Sequence, residues 1–299
     1  MCLRARYLLT LLLFVSPVFA TVRYVDTSAT GANNGSSWAS AFVYLQDALT
    51  AALAGDSIWV AAGTHYPDKG AGQNNDSRLS TFSIPSGVVV LGGFSGSESS
   101  AAERDWSANV TILSGAIDGN VDTAGNAYRV VVFSQVSEQT VLDGFTVTAG
   151  CAGMGAGGYG GGVWIYAGGA NGRCDPHIVN CTISGNSADI GGGGIYTYAG
   201  QDGTIGLTLT NCTISDNSAS YGGGMYHYGR DGGVNSSVLT GCIISGNHAR
   251  TGGGGIICNG SNNGTSSPTM INCTISANSA QSGGAGLYIS SLGGTSSPT

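Results

Sequence analysis

A seven-residue motif recurs four times in the C-terminal half of the chain, and it constrains the fold more than any other feature. The copies occupy residues 180–186, 211–217, 241–247 and 272–278, and they read NCTISGN, NCTISDN, GCIISGN and NCTISAN. Their cysteines lie 31, 30 and 31 residues apart. A regular period of this length is typical of solenoids, in which each repeat buries its apolar face only by stacking on its neighbours. We therefore expect a stacked repeat architecture.

The spacing of apolar residues within the motif indicates strands rather than helices. Ile183 lies two residues after Cys181, so both side chains belong to one face of an extended segment. Upstream of the second copy, Leu207 and Leu209 alternate on the opposite parity to Cys212. This change of phase requires a tight bend, and the residues at that position are Asn180, Asn211, Gly241 and Asn272. Asn and Gly tolerate left-handed backbone best, so the pattern predicts a positive φ and an asparagine ladder along this column.

The remainder of each repeat predicts a corner and a third strand. A second asparagine column ends the motif at Asn186, Asn217, Asn247 and Asn278. Gly-rich runs follow at residues 191–194, 222–224, 252–255 and 283–286, and each leads into an apolar pair. About 20 extended residues at about 3.3 Å each would close one circuit of a three-sided coil, and coils would stack about 4.8 Å apart.

These paired Gly-Gly-x-Ile and Ile-Ser-x-Asn elements resemble those of the pectin-lyase-like superfamily. More narrowly, they are similar to the repeats of polymorphic outer-membrane proteins and of large secreted bacterial β-helix proteins. Segments 33–38, 54–64 and 92–94 resemble the N-terminal coils of such proteins. The resemblance covers nearly all of the mature chain and implies an all-β fold, a right-handed parallel β-helix. It leaves function open, because this superfamily holds lyases, hydrolases, adhesins and passengers alike.

The N-terminus has the pattern of a secretory signal peptide over residues 1–20. Arg4 and Arg6 form a positive region, residues 7–15 an apolar core too short to span a bilayer, and residues 18–20 a small-residue cleavage site. We expect one elongated domain over 21–299, with irregular coils at about 56–150 and regular repeats at about 151–299. The mature part contains no apolar stretch long enough for a transmembrane span.

Composition and charge narrow the classes of partner. Charged residues make up only 9% of the chain, against a usual ~25%. A hydrophobic content of 41% in strict register argues against a disordered linker. Loss of the two signal arginines would change the net charge from −7 to −9. This charge disfavours nucleic acid and anionic membranes as partners.

Residues 40–53 show a strong amphipathic helix pattern. Ser40 is a suitable N-cap and Gly55 a suitable end, and the apolar stripe consists of Phe42, Leu45, Leu49 and Leu53. We expect this short capping helix to cover the open end of the solenoid, just before a first strand at 57–61. Further strands are expected at 79–84, 88–91, 110–113, 128–133 and 141–147, the last with Gly144 at the bend position.

Seven cysteines remain after the signal segment, and four of them share the inward column with isoleucine. These four are Cys181, Cys212, Cys242 and Cys273; the others are Cys151, Cys174 and Cys258. Stacked Cβ atoms about 4.8 Å apart are wider than a usual disulfide separation. We therefore expect a column of free thiols rather than disulfides. A zinc spacing of Cys and His is absent from the sequence.

We assign no catalytic, cofactor-binding or metal-binding residues from the sequence. The acids of the repeat region fall at unrelated places in the coil: Asp175, Asp189, Asp202, Asp216 and Asp231. A lyase would need clustered carboxylates and a base, and a glycosidase would need paired acids on adjacent coils. Lys69 is the only lysine, and the signatures of polygalacturonase-like enzymes are absent.

Several other residues have both a functional and a structural interpretation. Residues 118–126 resemble the start of a calcium loop, but Arg129 replaces the required Glu, so we expect a solvated loop, with structural calcium as the alternative. The histidines at 65, 177, 227 and 248 are expected at the surface or in turns. The Asn-x-Thr sequons at 180, 211 and 272 are expected to be structural, because their side chains would be committed to the ladder. Tyrosines beside the Gly runs could form an outward stripe that stacks on sugars, or could simply pack on the strand face: Tyr196, Tyr198, Tyr221, Tyr226, Tyr228 and Tyr288.

The leading interpretation is a secreted or cell-surface β-helix repeat protein, adhesin-like or passenger-like, that binds an extracellular polysaccharide or a surface protein without catalysis. The alternative is a polysaccharide lyase or glycoside hydrolase of the same fold. Residues 294–299 have the same sequence as residues 264–269, which in the previous coil lead into another strand. We therefore expect a longer protein, with a C-terminal edge that is a template for self-association.

Overall fold

The chain forms a parallel β-solenoid of about nine turns. The computed structural model describes residues 20–119 and 125–299, and the predicted signal segment lies almost entirely outside them. Strands of successive coils pair in parallel and in register, as Ile183 does with Ile214 and then Ile214 with Ile244. The expectation of an all-β solenoid is confirmed. Each regular coil, however, has five short strands rather than three.

The strands form five sheets, which a regular coil visits in the order A, B, D, C and E. Sheet A consists of Val22–Val25, Ser57–Ala61, Val89–Phe94, Val141–Asp143, His177–Val179, Thr208–Thr210, Val238–Thr240 and Thr269–Ile271. Sheet B consists of Gly63–His65, Thr111–Ser114, Phe145–Thr148, Thr182–Ser184, Thr213–Ser215, Ile243–Ser245 and Thr274–Ser276. Sheet C consists of Phe82–Ser83, Val131–Ser134, Val163–Gly168, Ile195–Gly200, Met225–Arg230, Ile256–Ser261 and Leu287–Leu292.

The two smaller sheets have strands of two to five residues. Sheet D consists of Cys151–Ala152, Ser187–Ala188, Ser218–Tyr221, His248–Gly252 and Ser279–Ala280. Sheet E consists of Arg173–Cys174, Thr204–Ile205, Val234–Asn235, Thr265–Ser266 and Thr295–Ser296. Three short 3₁₀ helices complete the described elements, at Trp38–Ser40, Ala101–Glu103 and Met154–Ala156.

The bend between sheets A and B has the predicted left-handed backbone. Its φ angles are +50° at Asn180, +54° at Asn211, +64° at Gly241 and +53° at Asn272. Gly144 occupies the same bend with φ +82° and separates two strands where one was expected over 141–147. The predicted ladder along this column is wrong, because Asn211 and Asn272 are exposed to solvent. The sequons at 180, 211 and 272 were expected to be structural because of this ladder, and that reason no longer applies.

The ladder runs instead through the second asparagine column, in which Asn186, Asn217 and Asn247 are buried. Asn186 Nδ2 donates to Asn217 Oδ1 at 3.0 Å, and Asn217 Nδ2 donates to Asn247 Oδ1 at 3.0 Å. Asn247 Nδ2 continues the ladder to Asn278 Oδ1 at 2.9 Å. These side chains turn inward because a second left-handed residue, such as Gly185 at φ +66°, precedes each of them. The ladder thus saturates buried polar groups inside every regular corner.

The cysteine column lies in the core, as predicted. Cys181, Cys212 and Cys242 are each 1% exposed, and all seven cysteines of the described chain are free thiols. Their Sγ atoms point at carbonyl groups of the preceding coil, such as Leu142 O at 3.6 Å from Cys181. Burial raises the pKa of the Cys181 thiol to about 12. These residues therefore behave as small apolar fillers beside the isoleucine column.

The capping helix exists but is shorter than predicted, spanning Leu45–Ala51. It begins after Tyr44, since Ser40 ends a separate 3₁₀ helix, and it ends before Gly55. Leu45 and Leu49 pack into the core, whereas Leu53 is 59% exposed and does not belong to the stripe. The helix contacts the first strands of sheets A and C, which is consistent with a cap.

Two N-terminal strand assignments need correction. The first strand is Val22–Val25, which precedes the helix and pairs in register with Ser57–Ala61. The strand expected at 79–84 is only Phe82–Ser83, because Leu79 is solvent-exposed. The other predicted N-terminal strands are present, with ends shifted by a few residues.

Differences in coil length are absorbed at corners and loops between the sheets. Ser187 pairs with Ser218, an offset of 31 residues, whereas Ile195 pairs with Met225, an offset of 30. In the next coil the register shifts between Ala219 and Tyr221. The corner between sheet D and the Gly run therefore takes up single-residue length differences. The loop between sheets C and E takes up another, since Ile256 pairs with Leu287 at an offset of 31 residues and Thr265 with Thr295 at an offset of 30.

Candidate functional site

The outward face of sheet C carries two rows of aromatic side chains. In the first row Trp164, Tyr196 and Tyr226 are register partners on consecutive coils. The second row, two residues further along each strand, consists of Tyr166, Tyr198 and Tyr228. Outward alternation along a strand places both rows on one surface.

The first row is mostly packed and the second is partly open. Tyr196 is 4% exposed and Tyr226 is 7% exposed, and Tyr159 stacks on Tyr196 with ring centroids 4.5 Å apart. For these two tyrosines the interpretation as strand-face packing is confirmed. Tyr166, Tyr198 and Tyr228 remain half-buried, as part of a row that can reach solvent.

Neighbouring rings in the second row support one another. The centroids of Tyr166 and Tyr198 are 5.8 Å apart with a 15° interplanar angle, and those of Tyr198 and Tyr228 are 5.7 Å apart. Stacked and tilted pairs at these distances are favourable. The row is therefore a pre-ordered surface, and a ligand would not have to pay for immobilising these rings.

The second row, Tyr159 and two arginines enclose a shallow groove of about 310 Å³. We call it the aromatic groove, and its lining side chains are Arg129, Tyr159, Trp164, Tyr166, Tyr196, Tyr198, Tyr228 and Arg230. Concave sites with an apolar lining and a few polar groups are typical of small-molecule and sugar binding. The aromatic groove therefore has the lining expected of a ligand site.

Arg129 forms a fixed polar wall of the groove. Its guanidinium lies 4.3 Å from the ring centroid of Trp164, and its Nε donates to Tyr159 O at 3.1 Å. Its Nη2 donates to Ala156 O at 2.6 Å. Burial lowers the pKa of Arg129 from its usual high value, a change that leaves the group charged at neutral pH.

Phenol groups supply the remaining polar character. Burial raises the pKa of Tyr159 and of Tyr198, so both hydroxyls stay protonated and can donate. The Tyr228 hydroxyl accepts from Ser261 Oγ at 3.1 Å, and the Tyr226 hydroxyl accepts from Asn259 Nδ2 at 2.9 Å. The groove can therefore offer aromatic contact together with hydroxyl donors. Of the remaining predicted tyrosines, Tyr288 packs against the same cluster and Tyr221 is 36% exposed.

The acids of the repeat region are not all scattered as expected. Asp202 and Asp231 occupy the same turn on consecutive coils, where Asp202 N–H donates to Asp231 O at 3.1 Å. Asp175 is buried and pairs with Arg173. Asp189 accepts from Met154 N–H at 3.0 Å, and Asp216 is an exposed corner residue. None of these five acids lines the aromatic groove.

The expectation that all four histidines lie at the surface or in turns is wrong for two of them. His65 is 3% exposed and His227 is fully buried inside the solenoid. The buried His227 ring is tolerated in its neutral form because Nδ1 lies 3.1 Å from Thr197 Oγ1. Burial lowers the pKa of His227 to about 4. His177 and His248 are less buried and lie on sheets A and D.

Residues 20–119 and 125–299 contain no cluster of three or more His, Cys, Asp or Glu side chains suited to a metal ion. The calcium-like segment 118–126 lies partly outside the described residues. Lys69 Nζ pairs with the buried Asp68 at 2.8 Å, which raises the pKa of Lys69 and makes it a poor base. Among the described helices, none is long and apolar enough to cross a membrane.

Comparison with known proteins adds a distant structural likeness. Neither a protein-family model nor a curated protein sequence matches this chain. Among solved structures, a rhamnogalacturonan lyase is similar over 89% of this chain, with 14% sequence identity and a TM-score of 0.35. The match covers 63% of that lyase, and so the chain spans less than two thirds of its length. A likeness this distant carries no inference about activity.

Proposed function

We propose that this chain is a secreted or cell-surface β-solenoid, adhesin-like or passenger-like, that binds carbohydrate through the aromatic groove without cleaving it. The observation that carries the proposal is the groove itself, with its in-register row of tyrosines and its fixed arginine wall. Aromatic rings with a polar tip suit sugars, which present both apolar C–H faces and hydroxyl groups. The proposed secretion rests on the signal-like sequence of residues 1–20.

The position of the acids favours binding over catalysis. Lyases and glycosidases act through carboxylates or bases placed against the scissile bond. The aromatic groove is lined by two arginines and six aromatic side chains, and no carboxylate belongs to its lining. A glycan held there would have contacts for recognition, and Asp231, which lies beside the groove, is engaged by Arg230 Nε at 3.2 Å.

Tyr198 offers the sharpest test, because it is the centre of the second row. Binding of the purified protein to a panel of soluble neutral and acidic glycans would be measured by affinity electrophoresis and calorimetry. Tyr198→Ala should weaken binding by roughly fivefold or more, as expected for the loss of about 1 kcal/mol of aromatic contact. Tyr198→Phe should retain the ring contact and most of the affinity.

Tyr44→Ala is the matched control, since Tyr44 is an exposed tyrosine outside the aromatic groove. It should bind like the unmodified protein. Failure of every glycan in the panel to bind, or equal affinity of the Tyr198→Ala variant, would refute the proposal. Release of unsaturated products or reducing ends in the same samples would replace it with the enzyme alternative.

A further inference from the structure

The outward face of sheet B carries a second, chemically different array. Its first row is β-branched throughout, and its second row carries a hydroxyl group at every position. We call this surface the hydroxyl face. Its first row is Thr146, Thr182, Thr213, Ile243 and Thr274, and its second row is Thr148, Ser184, Ser215, Ser245 and Ser276.

The array is regular in two directions. Register pairing places Thr182, Thr213 and Ile243 one coil apart, at the strand spacing of about 4.8 Å. Within each strand the two rows are two residues apart, or roughly 6.6 Å. Thr and Ile side chains have strongly restricted χ1 angles, so the first row presents its methyl and hydroxyl groups in nearly fixed positions.

The hydroxyl groups of this face are not used by the protein itself. None of the nine Thr and Ser side chains makes a hydrogen bond within residues 20–119 and 125–299. Elsewhere on the molecule comparable groups are engaged, as when Ser220 Oγ donates to Asp189 O at 2.6 Å. The hydroxyl groups of the hydroxyl face are therefore available to solvent or to a ligand.

The hydroxyl face is also uncharged and firmly supported. Its ten positions include no Asp, Glu, Lys, Arg or His. The intervening residues Val147, Ile183, Ile214 and Ile244 are fully buried. At the next corner the buried asparagine ladder fixes each coil to the following one. A surface backed in this way keeps its spacing on binding.

We propose that the hydroxyl face binds the surface of ice. A repeating, uncharged array of methyl and hydroxyl groups fits a ligand that is itself periodic in two directions. Water oxygens in ice repeat at distances comparable to the two spacings of the array. The hydroxyl groups would occupy positions of water oxygens in the ice lattice, and the methyl groups would order the water between them. Ile243 has no hydroxyl group but still supplies a methyl group to the first row. A metal ion or an anion would find no charged partner here.

The proposal is independent of the aromatic groove, because the two surfaces belong to different sheets. It would be tested on the whole purified protein by measuring thermal hysteresis and the inhibition of ice recrystallisation. We expect both activities in the unmodified protein. Thr213→Lys, at the middle of the array, should abolish most of the hysteresis by inserting a long charged side chain into the contact plane.

Thr204→Lys is the matched control, a half-buried strand threonine on sheet E rather than sheet B. It should keep the activity, and circular dichroism should show that both variants are folded. Ser215→Lys is a second disruptive variant for the case in which Thr213→Lys fails to fold. Absence of ice activity in the unmodified protein would overturn the proposal. Equal activity of the two threonine variants would also overturn it, as would binding to insoluble cellulose or chitin without any effect on ice.

Discussion

Replacing Asn217 with leucine should test whether the buried ladder stabilises the solenoid. Asn217 is 1% exposed, and its side chain joins three coils. Its Oδ1 accepts from the Asn186 backbone N–H and from Asn186 Nδ2, both at 3.0 Å. Its Nδ2 donates to Asn247 Oδ1 at 3.0 Å and to Ile183 O at 2.9 Å. Leucine has nearly the same shape and can make none of these bonds.

The expected cost follows from which partners are left without a bond. The Asn186 N–H loses its acceptor inside the core, and an orphaned buried donor costs about 1–3 kcal/mol. Asn186 Nδ2 keeps its bonds to Val147 O and Ser184 O, and Asn247 Oδ1 keeps the Asn217 N–H. Counting these milder losses, we expect Asn217→Leu to lower the free energy of unfolding by about 3–5 kcal/mol.

The matched control is Asn211→Gly in the exposed bend column. Asn211 has φ +54°, which glycine adopts readily, and Gly241 already occupies the equivalent position. The change should alter stability by less than about 1 kcal/mol. Urea unfolding followed by circular dichroism would compare the two variants. Equal losses for both, or a larger loss for Asn211→Gly, would show that the ladder is not the stabilising column.

Three further predictions concern buried thiols, the buried histidine and catalysis. Mass spectrometry should find Cys181, Cys212, Cys242 and Cys273 in the reduced form. The three fully buried thiols should not react with a thiol reagent until denaturant is added. A native cross-link among the four would contradict this prediction. Because burial lowers the pKa of His227 to about 4 and an unfolded histidine titrates near 6.5, stability should fall as pH drops from about 6.5 to about 4, by about 3 kcal/mol, and should change little above pH 7 on this account. A His227→Gln variant should lack this component of the pH dependence, and an unchanged profile would exclude the histidine as its source. The protein should release no product from pectate, alginate or neutral glycans, with or without Ca²⁺, and turnover lost on mutating one aspartate would overturn the non-catalytic assignment.

The sequence predicted the regular coils well because the periodic apolar residues report directly on burial. The parity of Cys181 and Ile183 identified an inward face that the structure confirms. The ladder was placed in the wrong column because both asparagine columns share one period. A left-handed residue before Asn186 turns that side chain inward, and the corresponding residues are Gly185, Asp216, Gly246 and Ala277. Such a mixed set hides the bend from a search for Asn or Gly.

The N-terminal coil and the groove were harder to predict for different reasons. Val22–Val25 is short and only Val25 of its residues is fully buried, so its apolar pattern is weak. The aromatic groove could be predicted only in part, from the tyrosines of the regular repeats. Trp164, Tyr166 and Arg129 lie in earlier, less regular coils, and only the register of sheet C brings them beside Tyr198. The Gly-rich run before Trp164 and Tyr166 was the available signal for those two residues, and Arg129 has no such context.

The corner at Ala219–Tyr221 makes this solenoid tolerant of insertions at a defined place. Because the register shift there is completed before the next strand of sheet C begins, added residues would bulge outward without moving either the tyrosine rows or the threonine rows. The same corner could accept a grafted peptide, and repeats of unequal length could be exchanged or duplicated as cassettes. Length variation among coils should therefore accumulate at this corner and in the loop between sheets C and E, whereas the tyrosine and threonine rows grow by one residue per added coil.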